Sequence, residues 1–122
     1  MKCLTASLED YLEIIYILSK NSGSAGITDI SKALCISKPS VNRAVNTLKI
    51  ENYVIQEKYG KVSLTQKGEN MAKLVYFRHK ALKDFFIDVL NVDPCIAEVD
   101  ACKIEHILST ETMEKIIAFS EK

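Results

Sequence analysis

The segment Ile27–Val54 constrains the fold of this chain more than any other stretch. Its first part, Thr28–Leu34, places apolar residues at helical spacing, and Cys35–Ser37 then interrupts the pattern. Ser37 is a good N-cap, and Pro39 falls in the first turn of the following helix, where its missing N–H costs nothing. A short helix, a three-residue turn and a longer helix are typical of the helix-turn-helix motif.

The second helix of this segment is predicted to have one apolar and one polar face. Val41, Val45 and Leu48 form the apolar stripe. The opposite face carries basic, hydroxyl and amide groups, which can reach base edges and phosphates in a major groove of DNA. The candidate DNA-contacting residues are Ser37, Lys38, Pro39, Ser40, Asn42, Arg43 and Asn46. This stretch alone leaves open a solvated helical hairpin with an ordinary polar surface.

A β-hairpin is predicted directly after the helix-turn-helix. Tyr53–Glu57 alternates as a strand does, Gly60 marks a turn, and Lys61–Thr65 is the predicted return strand. Lys58 and Lys61 lie near its tip, where they are further DNA-binding candidates. Such a two-stranded ribbon is a wing that usually follows phosphates or the minor groove. The wing therefore favours DNA binding over the solvated hairpin.

Charge and cysteine usage exclude several classes of protein. The 122 residues carry 16 basic and 16 acidic side chains, yet Lys20–Lys67 holds eight Lys/Arg against three Asp/Glu, whereas Met71–Lys122 holds seven against nine. A basic front half suits a polyanionic partner. The four cysteines form no CxxC pair, which argues against a zinc ribbon and against a disulfide framework. No signal peptide is visible, and no apolar run approaches the roughly twenty residues of a membrane span. We expect that the protein does not associate with a membrane and that it is located in a reducing cytoplasm.

The C-terminal half is predicted to be helical. A long helical pattern over about residues 66–89 is interpreted as a connector. Asp93 caps another helix that runs to about Ile107, and Ser109 caps a last one. Two short amphipathic helices offer a surface for homodimer formation, and an intramolecular mini-core explains the pattern equally well.

Three residues near the C-terminus have the chemistry and spacing of metal ligands. Cys102, Glu105 and His106 stand at i, i+3 and i+4, which places them on one face of one helix. A divalent transition metal binds thiolate, carboxylate and imidazole groups of this kind. Glu98 lies one turn back and is a further candidate. The alternative is a half-exposed face with a buried cysteine and a solvated glutamate.

Other ligand-type residues stand elsewhere in the chain. Asp10 and Glu13 lie at i and i+3 in a predicted first helix, although acids also favour a helix N-terminus without any metal. His79 lies in the connector. An enzyme is not expected, because Cys102 and His106 share one helix without a third orienting group and no nucleotide-binding or nucleophile motif is present.

With these residues in view, the chain resembles the family of metal-dependent bacterial repressors typified by the diphtheria toxin repressor and the manganese transport regulator. The resemblance covers nearly the whole chain. It rests on the helix-turn-helix and on the motifs SLEDYLEIIY, EKYGKVSLTQKG, VYFRHKAL and KIEHILS. In that family, a metal bound between the DNA-reading and dimerisation halves orders a homodimer that grips a palindromic operator.

The resemblance implies one metal site made from both ligand groups. Asp10 and Glu13 match carboxylates of the manganese-type members, and His79 matches the metal histidine of the connector. Cys102 and the Glu105–His106 pair match the triplet of the iron-type members. The implied cofactor is Mn²⁺ or Fe²⁺, and Zn²⁺ or Co²⁺ could bind in vitro because raw affinity favours them at a site containing cysteine.

The chain departs from both branches of the family. Cys102 stands where manganese-type members have a carboxylate, and Asp10 where iron-type members have a thioether. Lys83 and Glu98 replace a carboxylate and a histidine of the ancillary site of iron-type members, which argues against two metals. With 122 residues, the chain resembles the two-domain manganese type in length, so we expect no SH3-like third domain of the kind found in iron-type members.

The sequence therefore predicts a mainly α fold with a small β-hairpin. Residues 1–70 are expected to form a winged helix-turn-helix domain, and residues 71–122 a helical metal-binding and dimerisation domain. The predicted function is metal-dependent transcriptional regulation, as a repressor, in metal-ion homeostasis. One alternative is a winged-helix regulator that senses oxidation through Cys102 without metal. Another is a winged-helix module used only for protein contacts, against which the basic residues argue.

Overall fold

The computed structural model of this protein describes residues 6–57 and 60–120. Within these ranges the chain forms six helices and one two-stranded antiparallel sheet. The elements are α1 (Ala6–Leu18), α2 (Ile27–Leu34), α3 (Lys38–Ile50), β1 (Val54–Gln56), β2 (Val62–Leu64), α4 (Gln66–Asp88), α5 (Pro94–Ile104) and α6 (Thr110–Ser120). The chain divides into two compact units, Met1–Lys73 and Leu74–Lys122. The mainly helical fold with one hairpin is confirmed.

The first unit is built around the helix-turn-helix. The predicted stripe of α3 is buried, and it packs with apolar residues of α1, α2 and the hairpin into one core. The fully buried members of this core are Leu12, Ile15, Ile30, Val41, Val45, Leu48, Val62 and Ala72. Because each helix buries only one face, the outer face of α3 is left for solvent or a partner.

The turn between α2 and α3 is closed by local hydrogen bonds. Cys35 adopts a left-handed conformation with φ of 55°, and the backbone N–H of Ile36 donates to the Ser31 carbonyl at 3.1 Å. Ser37 then caps α3, since its hydroxyl accepts from the backbone N–H of Ser40 at 3.4 Å. The predicted N-cap is thus confirmed. The cap fixes where α3 begins.

The predicted hairpin is present, with shorter strands than expected. β1 and β2 pair with Ile55 opposite Ser63, and Gly60 takes a φ of 88° in the turn, which suits glycine. A backbone bridge from Ala25 to Val62 adds a third segment beside β2. Lys58, predicted at the tip, lies outside the described residues.

The start of α4 lies directly against the hairpin. The Thr65 hydroxyl accepts from the backbone N–H of Gly68 at 3.0 Å and lies 3.0 Å from the carbonyl oxygen of Tyr53. A Cβ atom added to Gly68 would lie 1.9 Å from that same carbonyl oxygen. Only glycine therefore fits where the wing meets α4.

We expect Gly68→Ala to destabilise the protein by about 1–3 kcal/mol, the usual effect of overpacking, although alanine is the better helix former by about 1 kcal/mol. Urea unfolding followed by circular dichroism measures this loss. Gly26→Ala is the matched control, because its new Cβ has no contact closer than 3.5 Å. A Gly68→Ala variant as stable as the native protein would contradict the close approach.

The second unit consists of α5, α6 and the C-terminal part of α4. Leu82, Ala101 and Met113 form its buried centre, one from each helix. Asp93 caps α5 by accepting from the backbone N–H of Cys95 at 2.9 Å, and the Ser109 hydroxyl accepts from that of Thr112 at 3.2 Å. Both predicted caps are confirmed. Among the described residues, no helix is long and apolar enough to cross a membrane.

The predicted end of α5 at about Ile107 is wrong, because the helix ends at Ile104. The backbone N–H groups of Ile107 and Leu108 both donate to the Ile104 carbonyl, at 3.1 and 3.2 Å, which closes the last turn before the next cap. Glu105 nevertheless keeps helical dihedral angles, and its N–H donates to the Ala101 carbonyl at 3.1 Å. The spacing of Glu105 relative to the helix is therefore preserved.

Candidate metal centre and DNA-reading surface

The second unit gathers metal-ligand side chains from α4 and from the end of α5. His79 lies on α4, Cys102 lies on α5, and Glu105 is the C-cap of α5. One ligand atom from each of these three residues lies within 4.8 Å of the other two. His106 adjoins the group, since its Nε2 lies 3.4 Å from Oε1 of Glu105. An imidazole pair, a thiol and a carboxylate thus lie together.

Glu105 is the centre of this group. The residue is only 1% exposed, and among the described residues no other charged residue is buried. Within the described part of the chain, neither of its carboxylate oxygens makes a hydrogen bond, and the buried Nδ1 of His79, 3.7 Å from Oε1, makes none either. Buried polar atoms are normally hydrogen-bonded or bound to metal. These orphaned atoms fit a bound cation.

The electrostatics of His79 point the same way. The pKa of His79 is raised to about 9, chiefly by its interaction with the Glu105 carboxylate; burial lowers it, and the Glu98 carboxylate raises it further. The buried carboxylate therefore favours a positive charge beside it. A metal that takes a nitrogen of His79 displaces the proton held there.

Glu98 lies on the other side of the His79 ring. Its Oε1 is 2.9 Å from Nε2 of His79, and its Oε2 is 3.0 Å from the ammonium of Lys83. Partial burial raises the pKa of Glu98, but the hydrogen bonds from His79 and Lys83 outweigh this and hold the pKa below its usual value. The sequence did not predict this pairing, because the two partners of the hydrogen bond are 19 residues apart.

The remaining predicted ligands lie in the first unit. Asp10 and Glu13 both lie on α1, and both are half-buried. The structure therefore brings together four of the predicted ligands, His79, Cys102, Glu105 and His106, within one compact unit.

We expect Glu105→Gln to lower the affinity for Co²⁺ or Zn²⁺ by at least about 100-fold, because a neutral amide neither balances the cation nor ligates it as a carboxylate does. Calorimetric titration of metal-stripped protein measures the change. Glu111→Gln, an exposed carboxylate at the start of α6, is the control for loss of one negative charge. Unchanged metal affinity in Glu105→Gln would remove Glu105 from the site.

The outward face of α3 presents the residues that the sequence assigned to DNA. Ser37, Lys38, Pro39, Asn42, Arg43 and Asn46 are exposed, and Ser40 is half-buried. The Ser40 hydroxyl accepts from Nη2 of Arg43 at 3.0 Å and lies 2.9 Å from the Ser37 hydroxyl. Arg43 is thus held near the N-terminal end of α3, the part of a recognition helix that meets base edges.

Gln56, which the sequence pattern did not single out, links the wing to α3. The ammonium of Lys49 on α3 donates to Oε1 of Gln56 at 3.3 Å, and Nε2 of Gln56 donates to the Gly60 carbonyl at 3.2 Å. Gln56 therefore links α3 to the hairpin turn. Lys61, the described basic residue after that turn, is exposed.

A winged helix-turn-helix joined to a unit with clustered metal-ligand side chains defines a metal-responsive DNA-binding protein. Comparisons with known families agree. Residues 3–62 match the iron dependent repressor N-terminal DNA binding domain, and residues 65–122 match the iron dependent repressor metal binding and dimerisation domain. The chain belongs to this family of metal-dependent transcriptional repressors, as the resemblance predicted.

Individual relatives support the same assignment. The chain is 38% identical to an uncharacterized HTH-type transcriptional regulator of Methanocaldococcus jannaschii over 98% of this chain and 96% of that protein. It is 38% identical to the HTH-type transcriptional regulator MntR of Bacillus subtilis, over 92% of this chain and 78% of MntR. The structure of the manganese regulator SloR superposes with a TM-score of 0.84 at 30% identity, over 97% of this chain and 55% of SloR.

Two consequences follow from these relatives. The chain spans about half the length of the SloR chain, so the whole activity of SloR does not transfer with its fold. The alternative of an oxidation sensor without metal has no support, because the relatives are metal-dependent repressors.

Proposed function

We propose that this protein represses transcription in metal-ion homeostasis, with Mn²⁺ or Fe²⁺ as its co-repressor in the cytoplasm. The observation that carries the proposal is the buried carboxylate of Glu105, neither oxygen of which makes a hydrogen bond in the described part of the chain. Two imidazoles and a thiol lie beside it, and a divalent cation can take ligands from groups of all three kinds. The basic, exposed face of α3 supplies the DNA-reading surface.

The proposed ligands are His79, Cys102, Glu105 and His106. The geometry of the second unit supports these four, which provide two nitrogen atoms, one sulfur and one carboxylate. Asp10 and Glu13 are proposed as further ligands on the family resemblance alone. The bound ion supplies positive charge and directional bonds that fix these side chains. The protein itself supplies the buried carboxylate that makes cation binding favourable.

The proposed mechanism is thermodynamic linkage between metal and DNA. A metal that binds better to the DNA-competent conformation raises operator affinity by a factor no larger than the ratio of its affinities for the two conformations. Because Glu105 is buried, conformations that differ in its surroundings would differ in metal affinity. DNA must in turn tighten metal binding by the same factor as metal tightens DNA binding.

The proposed DNA-binding species is a homodimer on a palindromic operator. A two-fold dimer presents two recognition helices to half-sites that repeat with the DNA turn. An apolar groove of the second unit, lined by Phe85, Val89, Ile116 and Phe119, leaves Val89 43% and Phe119 54% exposed. Exposed apolar surface of this kind fits a subunit interface, in keeping with the match of residues 65–122 to a dimerisation domain.

We expect Arg43→Ala to weaken the free energy of binding to operator DNA by about 1–3 kcal/mol, because an arginine at this place can donate two hydrogen bonds to one guanine. The operator is first selected from a random duplex pool with metal-loaded protein, and affinity is then measured by fluorescence anisotropy across a salt series. Metal affinity should stay native. Lys73→Ala, at an exposed lysine of α4 that pairs with Glu69, is the control for loss of one positive charge.

The salt series also tests whether DNA is the partner at all. Operator binding through phosphate contacts must weaken steeply as salt rises. Native operator affinity in Arg43→Ala would contradict the assigned reading face, and binding that ignores salt would favour the protein-contact module instead.

We expect Cys102→Glu to shift metal preference towards Mn²⁺, because a carboxylate is a harder ligand than a thiolate. The ratio of Mn²⁺ to Zn²⁺ affinities, measured by competition with a chelator, should rise by at least about tenfold. Cys95→Ser, at an exposed cysteine on the same helix, is the matched control. An unchanged ratio would show that Cys102 does not set selectivity.

A further inference from the structure

The structure contains a chain of polar contacts that leads away from the proposed metal site. It begins at the His79 ring, passes through the Glu98 carboxylate and ends at the Lys83 ammonium. Each contact is direct, at 2.9 Å from Nε2 of His79 to Oε1 of Glu98 and 3.0 Å from Oε2 of Glu98 to Nζ of Lys83. Both oxygens of Glu98 are therefore committed to groups that donate hydrogen bonds.

The two nitrogens of His79 face different environments. Nε2 points to Glu98, whose side chain is 50% exposed, whereas Nδ1 is buried and faces Oε1 of Glu105 at 3.7 Å. Which nitrogen of a metal-binding histidine keeps its proton is set by the hydrogen bond that the other nitrogen makes. A carboxylate on Nε2 fixes the proton there, which leaves the Nδ1 lone pair for a metal.

Lys83 explains why Glu98 stays in this role. A carboxylate next to a metal site is itself a ligand candidate, and without a fixed counter-ion Glu98 could turn towards the metal or help to bind a second one. The Lys83 ammonium, one turn after His79 on α4, holds the second oxygen of Glu98. The positive charge of Lys83 already balances the Glu98 carboxylate, which disfavours a second cation at that place.

The geometry points to Lys83 and Glu98 as positioning residues for the metal site, with Lys83 anchoring Glu98, Glu98 accepting the Nε2–H of His79, and Nδ1 of His79 presented to a single metal per chain. This inference rests on the proposed metal-binding function. It removes Glu98 from the ligand candidates and gives Lys83 a role that the proposed function does not assign.

The test uses ¹¹³Cd²⁺ alone as the probe, bound to the full ¹⁵N-labelled protein. The chain has two histidines, so its imidazole nitrogens are readily assigned by NMR. In the native protein we expect one ¹¹³Cd resonance per chain, coupling from the metal to Nδ1 of His79, and a proton on Nε2. A merely structural role for Glu98 and Lys83 would not specify this tautomer.

The variants separate positioning from simple charge. Removing a nearby positive charge should by itself strengthen cation binding, yet we expect Lys83→Met to weaken Cd²⁺ binding by about tenfold, because Glu98 loses its anchor. Lys83→Arg should restore most of the affinity. Lys80→Met is the matched control, since Lys80 also lies on α4 but pairs with Asp84 at 2.8 Å.

Glu98→Gln keeps an acceptor for His79 but loses the pairing with Lys83, and we expect it to weaken Cd²⁺ binding about tenfold as well. Adding Lys83→Met to Glu98→Gln should then have little further effect, as for two members of one chain of contacts. Circular dichroism verifies that each variant is folded. Glu98→Gln keeps the test decisive if Lys83→Met does not fold.

Four results would overturn the inference, and they are distinguishable. Coupling from ¹¹³Cd to Nε2 of His79 would show that Glu98 does not orient the ring. A second ¹¹³Cd resonance from the native protein would show that Glu98 helps to bind a second metal. Equal or tighter Cd²⁺ binding in Lys83→Met would show that Lys83 restrains Glu98 from acting as a ligand. Absence of any bound ¹¹³Cd in the native protein would overturn the proposed metal site itself and the positioning role with it.

Discussion

The second unit of this protein buries one carboxylate, and the proposed metal site depends on the energetic cost of that burial. Glu105 is nearly inaccessible to water, and neither of its oxygens forms a hydrogen bond within the described part of the chain. An uncompensated charge in such a place costs several kcal/mol. The imidazoles of His79 and His106, at 3.7 and 3.4 Å from Oε1, are the neighbouring groups that offset this cost. We therefore propose that a divalent cation bound beside Glu105 would stabilise this site.

The reading half depends on a different constraint, which is the exact start of α3. The Ser37 cap and the left-handed Cys35 place the first turn of the helix, and that turn carries the serine that holds Arg43. The wing is in turn held by Gln56, which bonds to α3 and to its own turn. Arg43, which we propose as a contact to base edges, is thus held by a short polar contact in the free protein, and this would limit the entropy lost on binding DNA.

The sequence predicted those features that local chemistry decides. The caps at Ser37, Asp93 and Ser109 each place a hydroxyl or carboxylate before an apolar helical stripe, and all three are present. The order of helices and wing followed from the same periodicities. The cluster around Glu105 was predictable in part, because Cys102 and Glu105 are one helical turn apart.

The sequence did not predict features that depend on contacts between distant residues. The end of α5 at Ile104 is decided by how its last turn closes against the next cap, which hydropathy does not encode. The bond between His79 and Glu98 joins positions on two helices, and the contact of Gly68 with Tyr53 joins the wing to α4. Family resemblance supplied His79, which as a lone histidine in a helix had no distinguishing pattern.

The most direct test of this account is a calorimetric titration of Mn²⁺ into metal-stripped protein, under anaerobic conditions, with and without a saturating operator duplex. We expect the duplex to tighten metal binding by the same factor as Mn²⁺ tightens DNA binding, typically about 5- to 150-fold. Equal Mn²⁺ affinities in the two titrations would contradict it. The protein would then bind metal and DNA independently, and the buried Glu105 would have no part in regulation.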